Sequence, residues 1–569
     1  MAQTLRFGAF ELNPFTGDLR KGRRPLRLAP QPARVLGLLA GRAGDVVTRA
    51  EIRADLWPRD TFVDFELGIN HCLKRIRATL GDRASSPRFI ETLPRRGYRF
   101  IAPVERHGSA SLPTVAVLPF ENLNHDPAVE YFTDGVTDAI ITELAKLKAL
   151  RVISRQSVLR LKGTDRPLCD IARELDVSGV VEGSALHDGA RARLTAQLIL
   201  LDPERHVWAE SFECDMREIL ETERRVARAV AHGVEAALAP SERAALDAPA
   251  LVHPEAHEAY LKARHHGDAW SREGFEKSLH YLHCALSFDP EHAPAHAQLA
   301  WTLSRLGYWG HVPVDQAFPS AREAALRALA LDERLSSAHE ALGWVKWLYD
   351  RDLAGAEREI LHGIALSPSD ADAHMMLAVF LATVRGQKER AVEEGRTALR
   401  LDPISQSTNF SLAWLYLFVD EYGLADAQAR RTLELYPGSL QANYMLGLSA
   451  IAQGNDTEAI AALEAACAVS RDALSVGYLA HAHGRFGRRA QVEPLIAELL
   501  SSRSAGHVAP KAMIVAYAGI GERDAAFEWL ERAYNEHDGI VYWLKAVPVF
   551  DPLRSDPRFD DLARRLGLS

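Results

Sequence analysis

Residues 65–82 read FELGINHCLKRIRATLGD, and the periodicity of this stretch decides the fold of the N-terminal region. Ile69, Leu73, Ile76 and Leu80 recur at i, i+4, i+7 and i+11, so they fall on one stripe of a helix. The opposite face carries His71, Lys74, Arg75 and Ala78, flanked by Asn70, Arg77 and Thr79. One face is suited to packing; the other is basic, on an element of the width that enters a major groove. Gly81 stops the helix.

The flanking sequence supplies the rest of a small α+β unit. Upstream, VVTRAEIRADLWP (46–58) opens on Thr48 followed three residues later by Glu51, a capping box that starts a helix. Before it, Pro30 opens a segment in which Val35, Leu36, Leu38 and Leu39 predict a further helix. RFGAFELN (6–13), GDLRKG (17–22) and PLRLA (25–29) predict strands. Arg20, Lys21, Arg23 and Arg24 near one of their turns read as solvating charges. Downstream, RFIETLPRRGYRFIAPV (88–104) predicts a hairpin with Pro94, Arg95, Arg96 and Gly97 at its tip. Two arginines on a β tip are placed to reach phosphates or a minor groove.

Charge separates this unit from the rest of the chain. The 569-residue chain has a net charge of −9, but residues 1–107 hold 20 Lys and Arg against 11 Asp and Glu, a net of +9. The remainder is therefore acidic, at −18. A basic head on an acidic body predicts that the head alone meets a polyanion.

With these motifs in hand, residues 5–104 resemble the OmpR/PhoB-type winged-helix effector domain. The resemblance rests on the strand-rich start, Leu56-Trp57, the helix ending LKRIRATLGD and the wing IETLPRRGYRF. It implies base and phosphate contacts at Cys72, Lys74, Arg75 and Arg77 on the helix and at Thr92 in the wing. Together with the exposed face and wing tip, the expected DNA-binding set is Asn70, His71, Cys72, Lys74, Arg75, Arg77, Thr92, Arg95 and Arg96. Cys72 departs from the family pattern, where a more polar residue is usual. Pro94 stands where the family places an arginine, with Arg95 and Arg96 directly after it. No receiver-like segment precedes the winged helix, so control is expected from the C-terminal side or from a partner. The order resembles CadC-like regulators.

GSASLP (108–113) reads as a linker. Beyond it, TVAVLPF (114–120), DPAVEYFTDGVTDAIITELAKL (126–147), LRVISR (150–155), LCDIARELDV (168–177), a hairpin across 178–201 turning at His187-Asp188-Gly189, HVWAESFE (206–213) and a helix to about 238 give the order β-α-β-α-β-β-β-α. VLPFENL, YFTDGVTDAIITEL, VSGVVEGSAL and TAQLILLD resemble the TolB N-terminal-like domain, which implies architecture and fixes no ligand.

From residue 250 onward, ALSFDP, ALALDE, GIALSP, ALRLDP, TLELYP and ACAVSR end successive helices, at 290, 333, 368, 403, 437 and 471. The steps are 43, 35, 35, 34 and 34 residues, a period that resembles tetratricopeptide arrays of antiparallel helix pairs. An insertion around GYWGHVPVDQAFPSA (307–321) accounts for the long step. Ala295, Leu299, Ala300 and Trp301 in one first helix, and Ala442, Leu446 and Gly447 in another, occupy comparable places.

Other chemistry finds little support. Five cysteines with no CxxC pair argue against a disulfide framework or a structural zinc. No apolar run approaches the ~20 residues of a membrane helix. Lys162-Gly163-Thr164 lacks the glycine-rich run of a phosphate loop, and no GxSxG or dinucleotide fingerprint occurs. Asp134 and Asp138, a helix turn apart, read as a solvated helix start. The His253/His257 and His292/His296 pairs lack any HExxH context, so neither metal nor cofactor is expected.

The expected fold class is multidomain α+β and all-α. Its parts are an N-terminal winged helix-turn-helix (1–107), a small α/β middle domain (113–240) and a C-terminal tetratricopeptide α-solenoid (250–569). The expected function is a non-enzymatic, cytoplasmic, sequence-specific transcriptional regulator that binds double-stranded DNA. A protein or peptide partner is expected on the repeat array, with no membrane contact. The alternative is an interaction scaffold with a vestigial winged helix.

Overall fold

The structure is a computed structural model. It describes residues 4–568 except 13–18, 22–23, 27, 45, 57–64, 95, 108–111, 202–203, 235, 237, 248–251, 268–270, 310 and 503–509. The described chain divides into two compact units, residues 1–112 and 113–569.

In the first unit the expected strand across 6–13 is two strands, β1 (Thr4–Phe7) and β2 (Phe10–Leu12), because Gly8 takes φ +59° and turns the chain back. They pair antiparallel with Phe7 opposite Phe10. β3 (Leu19–Lys21) and β4 (Arg24–Leu26) extend this meander, and β8 (Glu105–His107) closes its other edge, in the order β4-β3-β2-β1-β8. Three helices follow: α1 (Pro30–Gly41), α2 (Arg49–Leu56) and α3 (Phe65–Leu80). A second sheet has β7 (Gly97–Phe100) between β5 (Val46–Val47) and β6 (Ile90–Leu93). Phe7 meets Phe89 and Phe100 edge to face at 5.8 and 5.0 Å, which joins the meander to the β6–β7 hairpin.

The second unit begins with a mixed sheet. β9 (Thr114–Val117) lies parallel between β11 (Arg151–Val152) and β12 (Gly179–His187), and β13 (Arg191–Leu201) and β14 (Glu204–Asp215) continue antiparallel. The β12–β13 turn falls at Asp188-Gly189, with Gly189 at φ +91°. α4 (Glu130–Ala145), α5 (Arg155–Leu159), α6 (Leu168–Leu175), α7 (Ile219–Gly233) and α8 (Pro240–Asp247) complete this part.

Antiparallel helix pairs make up the remainder. They are α9 (Pro254–Gly267) with α10 (Arg272–Phe288), α11 (Ala293–Tyr308) with α12 (Val314–Leu331), and α13 (Ser336–Val345) with α14 (Leu353–Leu366). Next come α15 (Ala371–Thr383) with α16 (Lys388–Leu401), α17 (Gln406–Phe418) with α18 (Tyr422–Leu435), and α19 (Leu440–Ala452) with α20 (Asp456–Val469). The series ends with α21 (Ala473–Arg485) and α22 (Arg489–Ser502), α23 (Pro510–Ile520) and α24 (Arg523–Asn535), and a last helix α25 (Pro557–Arg565). The long step near 307–321 comes mainly from helix: α11 and α12 run 16 and 18 residues, so most of the expected insertion is helical. Small residues let helices close up. A Cβ built on Gly447 of α19 would stand 2.5 Å from Leu463 Cγ of α20.

Sheet and repeats form one unit because the loops between repeat pairs bond the sheet's edge. Ser154 N donates to Leu401 O at 2.7 Å. The Ser157 hydroxyl and amide both donate to Asp402 Oδ1, at 2.7 and 3.0 Å. Burial pushes the Asp402 carboxyl up to about 6 against these bonds. Asp134 and Asp138 are not a solvated helix start. Both are buried: Asp134 takes Lys162 Nζ at 2.5 Å and His265 Nδ1 at 3.2 Å, and Asp138 takes Arg264 at 2.7 Å. They tie α4 to α9, because burying a carboxylate requires a charged or hydrogen-bonded partner.

Candidate nucleic-acid interface

Helix α3 divides as its periodicity requires. Ile69, Leu73, Ile76 and Leu80 are buried in the core of the first unit. Asn70, His71, Lys74, Arg75 and Ala78 are exposed. Cys72 is a correction: it lies beside Leu73 in the core, 1% exposed, and burial raises its thiol pKa. The core stripe on α3 is wider than the i, i+4, i+7 positions alone, so Cys72 packs and cannot reach a base.

The remaining expected residues take two kinds of place. No hydrogen bond or ion pair engages the side chains of His71, Lys74, Arg75 or Arg96 among the described residues, and all four are exposed. Arg96 follows Leu93 across the wing turn, its amide donating to Leu93 O at 3.0 Å. Arg77 is half-buried and turned toward the wing, where its Nη2 donates to Ile90 O at 3.0 Å and to Thr92 Oγ1 at 2.8 Å. Arg77 and Thr92 are therefore brought together as a link between recognition helix and wing. Arg95 lies outside the described residues.

Three further residues shape the site and escape a reading of the sequence. Asp82, 8% exposed, accepts the Arg88 amide at 2.7 Å and the Ile90 amide at 3.0 Å, which pins the start of β6 to the end of α3. Arg49, at the start of α2, donates to Asn70 Oδ1 at 3.2 Å and lies 5.2 Å over the Tyr98 ring. Tyr98 in turn sits on the wing strand β7. The signal for Asp82 is its position directly after a helix-stopping glycine and ahead of a strand. The capping box forms as read: Glu51 N donates to Thr48 Oγ1 at 3.2 Å, and Thr48 N to Glu51 Oε2 at 2.8 Å. Hydrogen bonds from Thr48, with Arg42 adding its charge, hold the Glu51 carboxyl below its usual range. Gly97 is required where β7 crosses β5: at φ +140°, an added Cβ would lie 2.2 Å from Val47 O.

A buried helix stripe, an outward basic face and a hairpin pinned beside it define a winged-helix DNA-binding domain. Residues 23–100 match the family described as transcriptional regulatory protein, C terminal, so this segment is an OmpR/PhoB-type domain. Among curated relatives, the chain is 34% identical over 188 residues to putative adenylate cyclase 3 of Rhizobium meliloti, covering 33% of this chain and 32% of that one. It is 34% identical over 89 residues to the cholera toxin homolog transcriptional activator of Vibrio parahaemolyticus, covering 16% and 30%. It is 22% identical over 454 residues to the transcriptional regulator HilA of Salmonella typhimurium, covering 77% of each. The chain thus spans about a third of the length of the first two relatives. Among the described residues no helix is long and apolar enough to cross a membrane, and no group of three or more His, Cys, Asp or Glu is placed to hold a metal.

Proposed function

We propose that the chain is a sequence-specific transcriptional regulator in which α3 reads the major groove and the 250–569 array receives the controlling partner. The observation that carries the reading is the exposed row His71, Lys74 and Arg75, without side-chain partners among the described residues, directly opposite the buried stripe of α3. A solvated basic face of no function would more often be laced with acidic partners at i+3 or i+4. In this arrangement Arg75 and Lys74 address base edges, with Asn70 and His71 beside them. Arg96 at the wing turn meets phosphate or the minor groove. Arg77 and Thr92 hold the wing at its distance from the helix.

The repeat array serves as the control side, because stacked helix pairs present extended surfaces to proteins and peptides. The function is non-enzymatic, and it is exercised in the cytoplasm, where the DNA is. The match to a protein named as a cyclase spans a third of each chain, and the relative matched over most of its length is named a regulator. Selection of bound duplexes from a random library with the full chain tests the reading. A single enriched motif that Arg75→Ala degrades at one position supports it; an unenriched pool overturns it.

A further inference from the structure

After α24 the chain does not leave the array. It runs back through residues 539–553, in which Tyr542, Val549 and Phe550 are buried. This return packs on the first helices of successive pairs: the Tyr542 ring lies 6.1 Å from Trp347, just beyond α13, and Trp543 lies 5.1 Å from Trp414 of α17. A Cβ on Gly539 would stand 2.8 Å from the Tyr308 ring of α11. Between the return and the array lies a cavity of about 230 Å³, lined from α11, the α13 region, α15, α17 and the return itself.

Half of the lining residues are aromatic. Trp301, Trp344 and Trp347 follow one another with ring centroids 6.2 and 5.7 Å apart, and Tyr308 meets Trp344 edge to face at 5.4 Å. Trp414, Phe418 and Trp543 form a second cluster, with centroids 5.1 to 6.0 Å apart. Met375, Met376 and Val379 of α15 add aliphatic surface, and Ser407 and Ser411 of α17 bring hydroxyls that can meet one polar atom of a ligand.

The charges in the lining do not call for a charged ligand. Arg305 of α11 and Asp372 of α15 are one of each sign. Burial lowers the Arg305 pKa, and the Asp372 carboxylate opposes this, so the two already stabilise each other. The Arg305 guanidinium also lies 5.2 Å over the Trp301 ring. Lys511 Nζ lies 5.8 Å over Tyr308 and 5.6 Å over Trp309. Two protein cations therefore sit on ring faces that a ligand cation would need. An anion would meet Asp372 and a guanidinium that is already engaged. Either kind of ion would give up hydration on entry with no unmatched charge to replace it.

Size sets the rest. The volume is about one and a half times the ~150 Å³ cavity that binds benzene, which scales to about nine non-hydrogen atoms, a fused pair of rings. Tilted and edge-on ring walls favour an aromatic body over an aliphatic one of equal area. We infer that this cavity binds a neutral, flat, bicyclic aromatic molecule, held between the rings of the array and those of the C-terminal return. The proposed regulatory function leaves this site unassigned.

The test uses the full chain and isothermal titration calorimetry. The probes have about the same number of non-hydrogen atoms and differ in charge and aromaticity: indole, 2-phenylethylamine, benzoate and cyclooctanol. The expected result is saturable binding of indole with a Kd of about 1 mM or tighter, at least about tenfold below that of each other probe. Ser411→Phe and, separately, Val379→Phe put a ring into the cavity, and each should abolish the response with the helical circular dichroism unchanged. Bound indole should raise the thermal midpoint of the 113–569 unit and leave that of the 1–112 unit in place. No saturable response to indole up to ~5 mM overturns the inference. So does binding of the amine or the acid as tight as that of indole, which assigns a charged ligand, or equal binding of cyclooctanol, which makes the site indifferent to aromatic rings. Indole binding that survives in both folded Phe variants lies elsewhere and overturns it as well.

Discussion

Replacing Asp82 tests how the wing is held. Its carboxylate is the acceptor for two amides at the start of the wing, Ile90 N in the buried interior and Arg88 N partly buried. Asp82→Ala leaves both donors without a partner. An unsatisfied buried amide costs roughly 1–3 kcal/mol, so the buried Ile90 amide at ~2 and the half-solvated Arg88 amide at ~1 give about 3 kcal/mol. That is a large share of the roughly 5–15 kcal/mol that holds a domain together. For a unit of this size each kcal/mol moves the midpoint by about 4–8 °C, so the expected fall is about 12–24 °C. Asp82→Asn keeps one acceptor oxygen and should lose about half as much. Scanning calorimetry of the full chain reads this directly, because the 1–112 unit should shift while the transition of the 113–569 unit stays in place. Midpoints of both variants within ~2 °C of the parent would refute the argument that Asp82 carries the wing.

Other outcomes rest on the same geometry. Arg75→Ala should weaken the preferred site by about 1–3 kcal/mol and relax specificity at one position, read by competition among single-base variants. Arg96→Ala should weaken preferred and random duplexes alike and lower the salt slope by about one unit, read by anisotropy at several salt concentrations. The Asp402 carboxyl sits at about 6 when folded, against 3.8 when free. The folded state therefore binds the extra proton, and this group's contribution to stability is lost as pH rises from about 4 through 6, by up to about 3 kcal/mol. Asp402→Asn should flatten that part of the stability profile in urea titrations at pH 4.5 and 7, and an unchanged difference between the two pH values would refute it. Gly447→Ala drives a methyl against Leu463 and should cost about 1–3 kcal/mol, read as a lowered urea midpoint of the helical unit.

Periodicity makes the recognition helix, the repeats and the middle β-α order legible, because each depends on residues close together in sequence. The i, i+4, i+7 stripe of α3 and the ~34-residue recurrence of helix ends both survive as structure. The features that escape the sequence are long-range. Cys72 sits one position from the stripe, and only the packing of α3 in its core shows that it is covered. Arg77 looks like a free cation until the wing carbonyl of Ile90 is brought beside it. Asp134 and Asp138 look solvated in the sequence because Lys162 and His265, which bind Asp134, and Arg264, which binds Asp138, are far away along the chain, the nearest of these pairs 28 residues apart. No local pattern announces that 539–553 folds back onto Tyr308, Trp347 and Trp414, which lie well over a hundred residues earlier in the chain.

The proposed DNA recognition rests on the cationic face of α3 and the wing meeting the duplex. Anisotropy of the full chain on duplex DNA across a salt series measures this most directly. Arg96 at the wing turn is exposed, with no side-chain partner among the described residues, and each cation that neutralises a phosphate adds about −0.9 to the slope of log K against log salt. Saturable binding with a slope of about −1 or steeper is the predicted result. Binding no tighter than that of an acidic control protein, or a slope near zero, would contradict it.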